Sequence, residues 1–117
     1  MKDSAQAQIY GTMAKDLEIH NDLNGKVYGV ATITVNKAVG YDPDTGEEIF
    51  EPRWFKIHIT DESLLDFYKP LLHKDKKAIF IGELDIIQSC MDDSLAQVII
   101  KVNNPLGIAL MPKAPNN

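Results

Sequence analysis

Three side chains that could bind a ligand alternate along one stretch of the sequence, residues 53–60 (RWFKIHIT). Trp54, Lys56 and His58 occupy every second position, and the positions between them are mostly apolar. Successive side chains of a strand point to opposite faces, so this pattern predicts a strand with an apolar inner face and an aromatic, cationic outer face. An indole can stack on nucleobases while a neighbouring ammonium neutralises phosphate, which favours binding of a single-stranded nucleic acid. The alternative is a lone Trp that packs beneath a loop.

The loop before this strand contains a motif that also occurs in a class of proteases. Asp44-Thr45-Gly46 is the triad of retroviral-type aspartic proteases, whose chemistry needs two buried Asp residues sharing one proton across a dimer axis. Pro43 precedes the triad and Glu47 follows it, so we expect a solvated turn instead. No enzyme activity is predicted.

The same loop and the scattered histidines have a metal-binding interpretation, which the spacing does not favour. Asp42-x-Asp44 resembles the start of a calcium loop, but no bidentate Glu follows at the required distance. The three histidines and Cys90 lack the spacing of zinc ligands. We therefore expect no metal and no cofactor, and we expect Cys90 to be an incidental thiol in a loop.

Length and composition indicate one cytoplasmic domain that does not cross a membrane. The chain has 117 residues, no apolar run that could span a bilayer and no secretory leader. A single cysteine excludes an internal disulfide and fits a reducing compartment.

The net charge of −5 is opposite to the basic footprint expected of a nucleic-acid-binding protein. Much of the acidity is concentrated in residues 42–51, however, whereas lysines cluster in residues 69–77. The lysines that could contribute to a local positive groove are Lys37, at the end of a predicted strand, and Lys74, Lys76 and Lys77.

The order of predicted elements is three strands, a helix and two strands. Strands are predicted at residues 8–14, 26–37, 53–60, 78–87 and 95–102, with residues 17–20 continuing the first strand after a kink. Asn24-Gly25 predicts a tight hairpin turn and residues 92–94 a second turn. A helix is predicted to start at a cap formed by Asp61 or Ser63 and to kink or end near Pro70.

This order predicts an all-β protein with one helix, a five-stranded Greek-key barrel of the OB type. Residues 1–7 are expected to be a flexible N-terminus, residues 8–103 the OB domain and residues 104–117 a short C-terminal tail. The strand at residues 78–87 is apolar on both faces, and a small barrel has only one interior. We therefore expect Ile79 and Ile81, together with Ile9, to form an interface between copies of the chain.

Several motifs, taken in order, resemble the bacterial single-stranded DNA-binding protein (SSB) family. They are Ile9 to Met13, Asp16-Leu17-Glu18, Leu23-Asn24-Gly25, the strand Val30 to Val35, Thr45-Gly46-Glu47, Arg53 to Ile57, Ile81 to Leu84 and Val98 to Val102. Each motif alone is weak, but their order and spacing over about residues 8–103 are fairly specific. The resemblance implies an OB fold, sequence-tolerant binding of single-stranded DNA, no catalysis, and assembly into homodimers or homotetramers.

The resemblance also implies which residues contact DNA. Trp54 stands at a stacking position of the family, Lys56 at a basic position, and Tyr41 where a second stacking tryptophan is usual. Thr60 departs from the family, because a Phe is usual there. The long tail with an acidic, apolar tip has no counterpart in this sequence, which removes the basis for expecting it to recruit other proteins.

The sequence therefore predicts a protein that binds single-stranded DNA and protects it in replication, recombination or repair. Trp54 and Tyr41 are expected to stack on bases and the lysines to neutralise phosphates. The alternative is an OB-fold protein–protein adaptor, as in primosome assembly, that binds DNA weakly or not at all. A bacterial, phage or plasmid origin and a truncated chain all remain open.

Overall fold

The structure is a computed structural model that describes residues 3–88 and 96–111. Its strands are β1 (Gln6–Met13), β2 (Glu18–Asn21), β3 (Val27–Tyr41), β4 (Glu48–Ile59), β5 (Lys77–Gln88), β6 (Ala96–Val102) and β7 (Ile108–Leu110). The α-helix α1 (Glu62–Tyr68) follows β4, and a 3-10 turn (Pro105–Gly107) precedes β7. None of the described helices is long and apolar enough to cross a membrane.

Five strands close into a barrel in the order β1, β3, β4, β6, β5, with β1 also pairing with β5. Neighbouring strands are antiparallel except for β4 and β6, which are parallel. The short strands β2 and β7 add to the outside of this ring by pairing with β3 and β5. The predicted all-β, five-stranded OB barrel with one helix is confirmed.

The barrel is filled by the inward residues of each strand. Ile33 and Ile57 are fully buried, and Phe80 is the largest of the fully buried side chains. Gly11 lets β1 approach β3 closely, because a Cβ atom at this position would lie 2.7 Å from the carbonyl oxygen of Thr34. A glycine at this position therefore permits the close approach of the two backbones.

Local turn and cap residues set the elements around the barrel. The β2–β3 hairpin turns at Gly25, whose φ of 79° suits glycine, and the carboxylate of Asp22 accepts a hydrogen bond from the Asn24 N–H (2.9 Å). Asp61 caps α1 by accepting a hydrogen bond from the Leu64 N–H (2.9 Å). The helix ends at Tyr68, before Pro70, as predicted.

Some strand bounds differ from the prediction because their partners are distant in sequence. The first strand begins at Gln6, since Gln6 and Ala7 pair with Glu83 and Gly82 of β5. Residues 108–110, expected to belong to the tail, form β7 and also pair with β5. Cys90 and the turn predicted at residues 92–94 lie outside the described residues.

Candidate nucleic-acid interface

The indole of Trp54 lies on the open outer face of the β3–β4 sheet. Trp54 pairs across the sheet with Thr34, and 65% of its surface is exposed. Its neighbour in sequence, Phe55, is partly buried, and Ile57 and Ile59 are fully buried on the inner face. The predicted alternation is confirmed, and the indole is free of the barrel core within the chain.

Lys56 lies next to Trp54 on the same outer face. It pairs with Thr32, and its ammonium donates a hydrogen bond to the Thr32 hydroxyl (Nζ–Oγ1, 2.9 Å). This bond uses one of the three N–H donors of the ammonium and holds it over the sheet. An indole and a fixed cation are therefore presented side by side.

Two further aromatic residues share the face of Trp54 along the β3–β4 hairpin. Phe50 lies four residues before Trp54, about 13 Å away along an extended strand, and it is 54% exposed. Tyr41 pairs with Glu48, which is an even-numbered residue of β4 like Trp54 and so lies on the same face. Tyr41 is 70% exposed. We call Tyr41, Phe50 and Trp54 the aromatic row. It is a series of exposed rings on one face, suited to stacking on separate bases of one bound strand.

A lysine from β5 lies in the same cross-strand line as Trp54. Lys77 pairs with Thr12, Thr12 pairs with Thr34, and Thr34 pairs with Trp54. Four adjacent strands thus place Lys77 about 14 Å from Trp54 across the outer face, at a strand spacing of about 4.8 Å. The cationic surface therefore extends from β4 to β5.

The other two lysines of this cluster precede β5 in a loop bound to the end of β1. The Lys74 N–H donates a hydrogen bond to the Asp16 carboxylate (2.8 Å), and the Lys76 carbonyl accepts one from the Met13 N–H (2.8 Å). These bonds hold the loop beside Lys77. Lys74 and Lys76 therefore lie near Lys77 and not next to the indole of Trp54.

Lys37, predicted to neutralise a phosphate, lies on the opposite face of the sheet from Trp54. It pairs with Glu51, and the next outward residue, Asn36, pairs with Pro52. Side chains alternate along β3, so the odd-numbered Lys37 belongs to the face of Ile33. It is exposed only because the hairpin extends beyond the barrel there.

The predicted oligomer surface is only partly on the outside. Ile79 pairs with Tyr10, and Ile81 pairs with Gln8; Tyr10 and Ile81 are exposed. Ile9, in contrast, packs against the core cluster of its own chain. The alternation of β1 explains this position, since Ile9 has the parity of the buried Met13.

The β5–β6 hairpin carries a second exposed apolar surface. Leu84, Ile86 and Val98 share one face of this hairpin and are all exposed. Leu84 has the parity of the buried Phe80 and is expected to lie with it on the inner face. It is exposed because β5 leaves the barrel at this point.

The acidic segment between β3 and β4 is a solvated turn. The Asp42 carboxylate accepts a hydrogen bond from the Asp44 N–H (2.7 Å), and the Gly46 N–H donates to the Asp42 carbonyl (2.8 Å). Asp44 is exposed, so the predicted turn is confirmed and the buried Asp that a protease needs is absent. The described residues contain no group of three side chains that could hold a metal ion.

A groove lies further along the outer face, beyond Lys56. It is lined by Asp22, Lys26, Tyr28, His58, Thr60 and Lys101. The pKa of His58 is lowered by partial burial, and further by the charge of Lys101 and of other nearby cations. From sequence alone His58 is expected on this face, but its contact with Tyr28 depends on the β3–β4 register.

The chain was compared with known proteins. No family model and no curated protein matches it in sequence. Solved structures do match. The Plasmodium falciparum SSB, in complex with ssDNA, superposes with a TM-score of 0.71 at 16% identity, over 95% of this chain and 97% of that one. The chain shares the OB fold of this SSB structure.

Two other structures have the same SSB-type fold over the full chain. A mitochondrial single-stranded DNA-binding protein of S. cerevisiae matches with a TM-score of 0.68 and 13% identity, over 97% of this chain and 100% of that one. A small single-stranded DNA-binding protein of Streptomyces coelicolor matches with a TM-score of 0.69 and 11% identity, over 95% of this chain and 96% of that one. The resemblance seen in the sequence motifs is thus matched in three dimensions, and at these identities the likeness shows the fold.

Proposed function

We propose that this protein binds single-stranded DNA without sequence preference and has no catalytic activity. The observation that carries the proposal is the exposed indole of Trp54 beside the fixed ammonium of Lys56, on the outer face of an SSB-type barrel. Bases stack on the aromatic row, and phosphates meet Lys56 and Lys77. The solved SSB structures with this fold support the proposal.

The negative net charge is compatible with this function because of where the charges lie. The acidic turn at residues 42–47 and Glu48 lie at the Tyr41 end of the aromatic row, whereas Lys56 and Lys77 lie at its Trp54 end. Few phosphate contacts are available, so the affinity depends more on stacking and falls less steeply with salt than in a strongly basic protein.

Self-association is part of the proposal. Strand β1 hydrogen-bonds to β5 along Gln6–Thr12, but it pairs with β3 only at Thr12 and Met13. Most of its second edge is thus unpaired among the described strands, and such edges readily pair with another chain. This edge and the outward Tyr10, Ile79 and Ile81 form the contact of a homodimer or homotetramer.

In the cell, the protein covers exposed single strands during replication, recombination or repair. We place this activity in the bacterial cytoplasm, whether the gene is chromosomal, phage-borne or plasmid-borne. The single cysteine, which fits a reducing compartment, supports this placement.

A protein–protein adaptor is the second candidate function. The exposed apolar side chains of Leu84, Ile86 and Val98 on the β5–β6 hairpin favour it, because base stacking uses aromatic rings and not aliphatic side chains. Ile79, Ile81 and the acidic turn could contribute to the same role. An adaptor would not need an exposed indole beside a cation.

Fluorescence anisotropy of labelled oligonucleotides distinguishes the two functions. We expect oligo(dT) to bind, duplex DNA of the same length to compete poorly, and affinity to fall between about 50 mM and about 200 mM salt. Mixed-sequence single strands should compete with oligo(dT) to within about tenfold, because every base has a surface for stacking. Absence of binding at the lower salt concentration would leave the adaptor as the better account.

A further inference from the structure

Three aromatic rings from adjacent strands stand side by side near the groove beyond Lys56, and two of them, those of Tyr28 and His58, line it. The rings of His20 and Tyr28 are stacked with centroids 5.8 Å apart, and those of Tyr28 and His58 are 5.1 Å apart. His20 belongs to β2, Tyr28 to β3 and His58 to β4. We call these residues the ring row. It offers a π-surface on the same outer face as Trp54.

The groove is also cationic. Lys26 and Lys101 line it, and Lys56 is close enough to His58 to affect its titration. Its imidazole, that of His58, can gain a positive charge. A site with a π-surface and several cations is complementary to a nucleotide, which presents a flat base and an anionic phosphate.

The carboxylates around the groove already have partners within the protein. Asp22 accepts hydrogen bonds from the N–H groups of Asn24 and Lys26. Asp85 is paired with the Lys101 ammonium (2.7 Å). Glu18 is paired with Lys15 (3.0 Å) and lies 3.9 Å from His20. These pairs reduce the repulsion that a phosphate would meet.

The position of the groove fits the path of a strand bound at Trp54. His58 and Trp54 are both outward residues of β4, four positions apart, which corresponds to about 13 Å. Lys56 lies between them on the same face. A single strand that stacks on Trp54 and follows β4 therefore reaches the groove without leaving the sheet.

We propose that the groove is a further nucleotide subsite, in which the base contacts the ring row and the phosphate is held by Lys26, Lys101 and a protonated His58. The proposal rests on the proposed function, since it extends the same bound strand. It adds to that function a site that takes up a proton when DNA binds.

The expected proton uptake follows from the state of His58 in the free protein. Burial and the neighbouring cations keep its pKa below the usual value, so the imidazole is mostly neutral near pH 7. A phosphate at the groove favours the imidazolium and raises that pKa. Affinity therefore increases as pH falls through the range between the two pKa values, by up to about tenfold per pH unit for each proton taken up.

Oligo(dT) affinity measured between about pH 7.5 and about pH 5.5 tests the proposal, with Trp54 fluorescence recorded in parallel. The wild type should bind more tightly at the lower pH. The variant H58Q should lose this gain, and H73Q, which changes a histidine outside the groove, should keep it. Circular dichroism at each pH shows that the variants are folded.

A second pair of variants tests the ring row at constant pH. Tyr28→Phe keeps the ring, whereas Tyr28→Val keeps a strand-forming residue without it, so only the latter should weaken binding, by about fivefold or more. If oligo(dT) quenches Trp54 but its affinity does not change with pH, the subsite is wrong and the proposed function stands. The same holds if the pH effect on affinity is lost in H73Q. Absence of oligo(dT) binding at any pH would overturn both.

Discussion

Replacing Trp54 with alanine is expected to weaken oligo(dT) binding by about 5- to 150-fold and to leave the stability of the fold unchanged. Stacking of one base contributes about 1–3 kcal/mol, and 1.4 kcal/mol corresponds to a factor of ten in affinity. The indole is 65% exposed and lies outside the core cluster, so its removal leaves no cavity. Anisotropy titrations give the affinity, and urea denaturation gives the free energy of unfolding.

Phe67→Ala is the matched control for Trp54→Ala. Phe67 is also 65% exposed, but it lies on α1 and not on the outer face of the sheet. Its removal deletes an equally exposed ring and should leave oligo(dT) affinity within about twofold of the wild type, as an exposed substitution outside the site would. Equal losses of affinity in both variants would indicate a non-specific aromatic effect. Unfolding of Trp54→Ala would show that the indole is structural.

Replacing Phe80 with alanine should lower the free energy of unfolding by about 3–5 kcal/mol. Phe80 is fully buried, and its strand β5 pairs with both β1 and β7 at this residue. Its deletion therefore removes packing at the point where the barrel closes. Single domains have only about 5–15 kcal/mol of stability, so the shift should be evident in urea denaturation.

Phe50→Ala makes the same chemical change on the surface. Phe50 is half exposed on the β3–β4 hairpin, so its loss should change the free energy of unfolding by no more than about 0.5 kcal/mol. It should instead weaken oligo(dT) binding, because the ring belongs to the aromatic row. If Phe50→Ala destabilised the protein as much as Phe80→Ala, the assignment of inner and outer faces on these strands would be wrong.

The barrel could be predicted from the sequence because its signals are local. Asn24-Gly25 marks a hairpin by its backbone freedom, and Asp61 marks the start of the helix by its capping side chain. The alternation from Trp54 to Ile59 separates the two faces of β4 without reference to any other strand. These features depend on residues a few positions apart, and the structure confirms each of them.

The rest of the site depends on pairing between distant segments. Phe50 escapes detection because Pro52 interrupts the strand pattern, although β4 continues to Glu48 through its pairing with β3. The ring row needs β2, β3 and β4 in register. Strand β7 is too short to recognise without its partner β5. The positions of Lys37 and Ile9 do not depend on such pairing, because the alternation within each strand is enough to place both on the inner face.

The most direct test of the account is the intrinsic fluorescence of the protein during titration with poly(dT). Trp54 is the only tryptophan in the chain, so its emission reports one position without ambiguity. Stacking predicts saturable quenching at about 50 mM salt that requires more poly(dT) at about 200 mM. Emission that stays constant while oligo(dT) binds would show that the strand passes elsewhere, and it would contradict the central role of the outer face of β4.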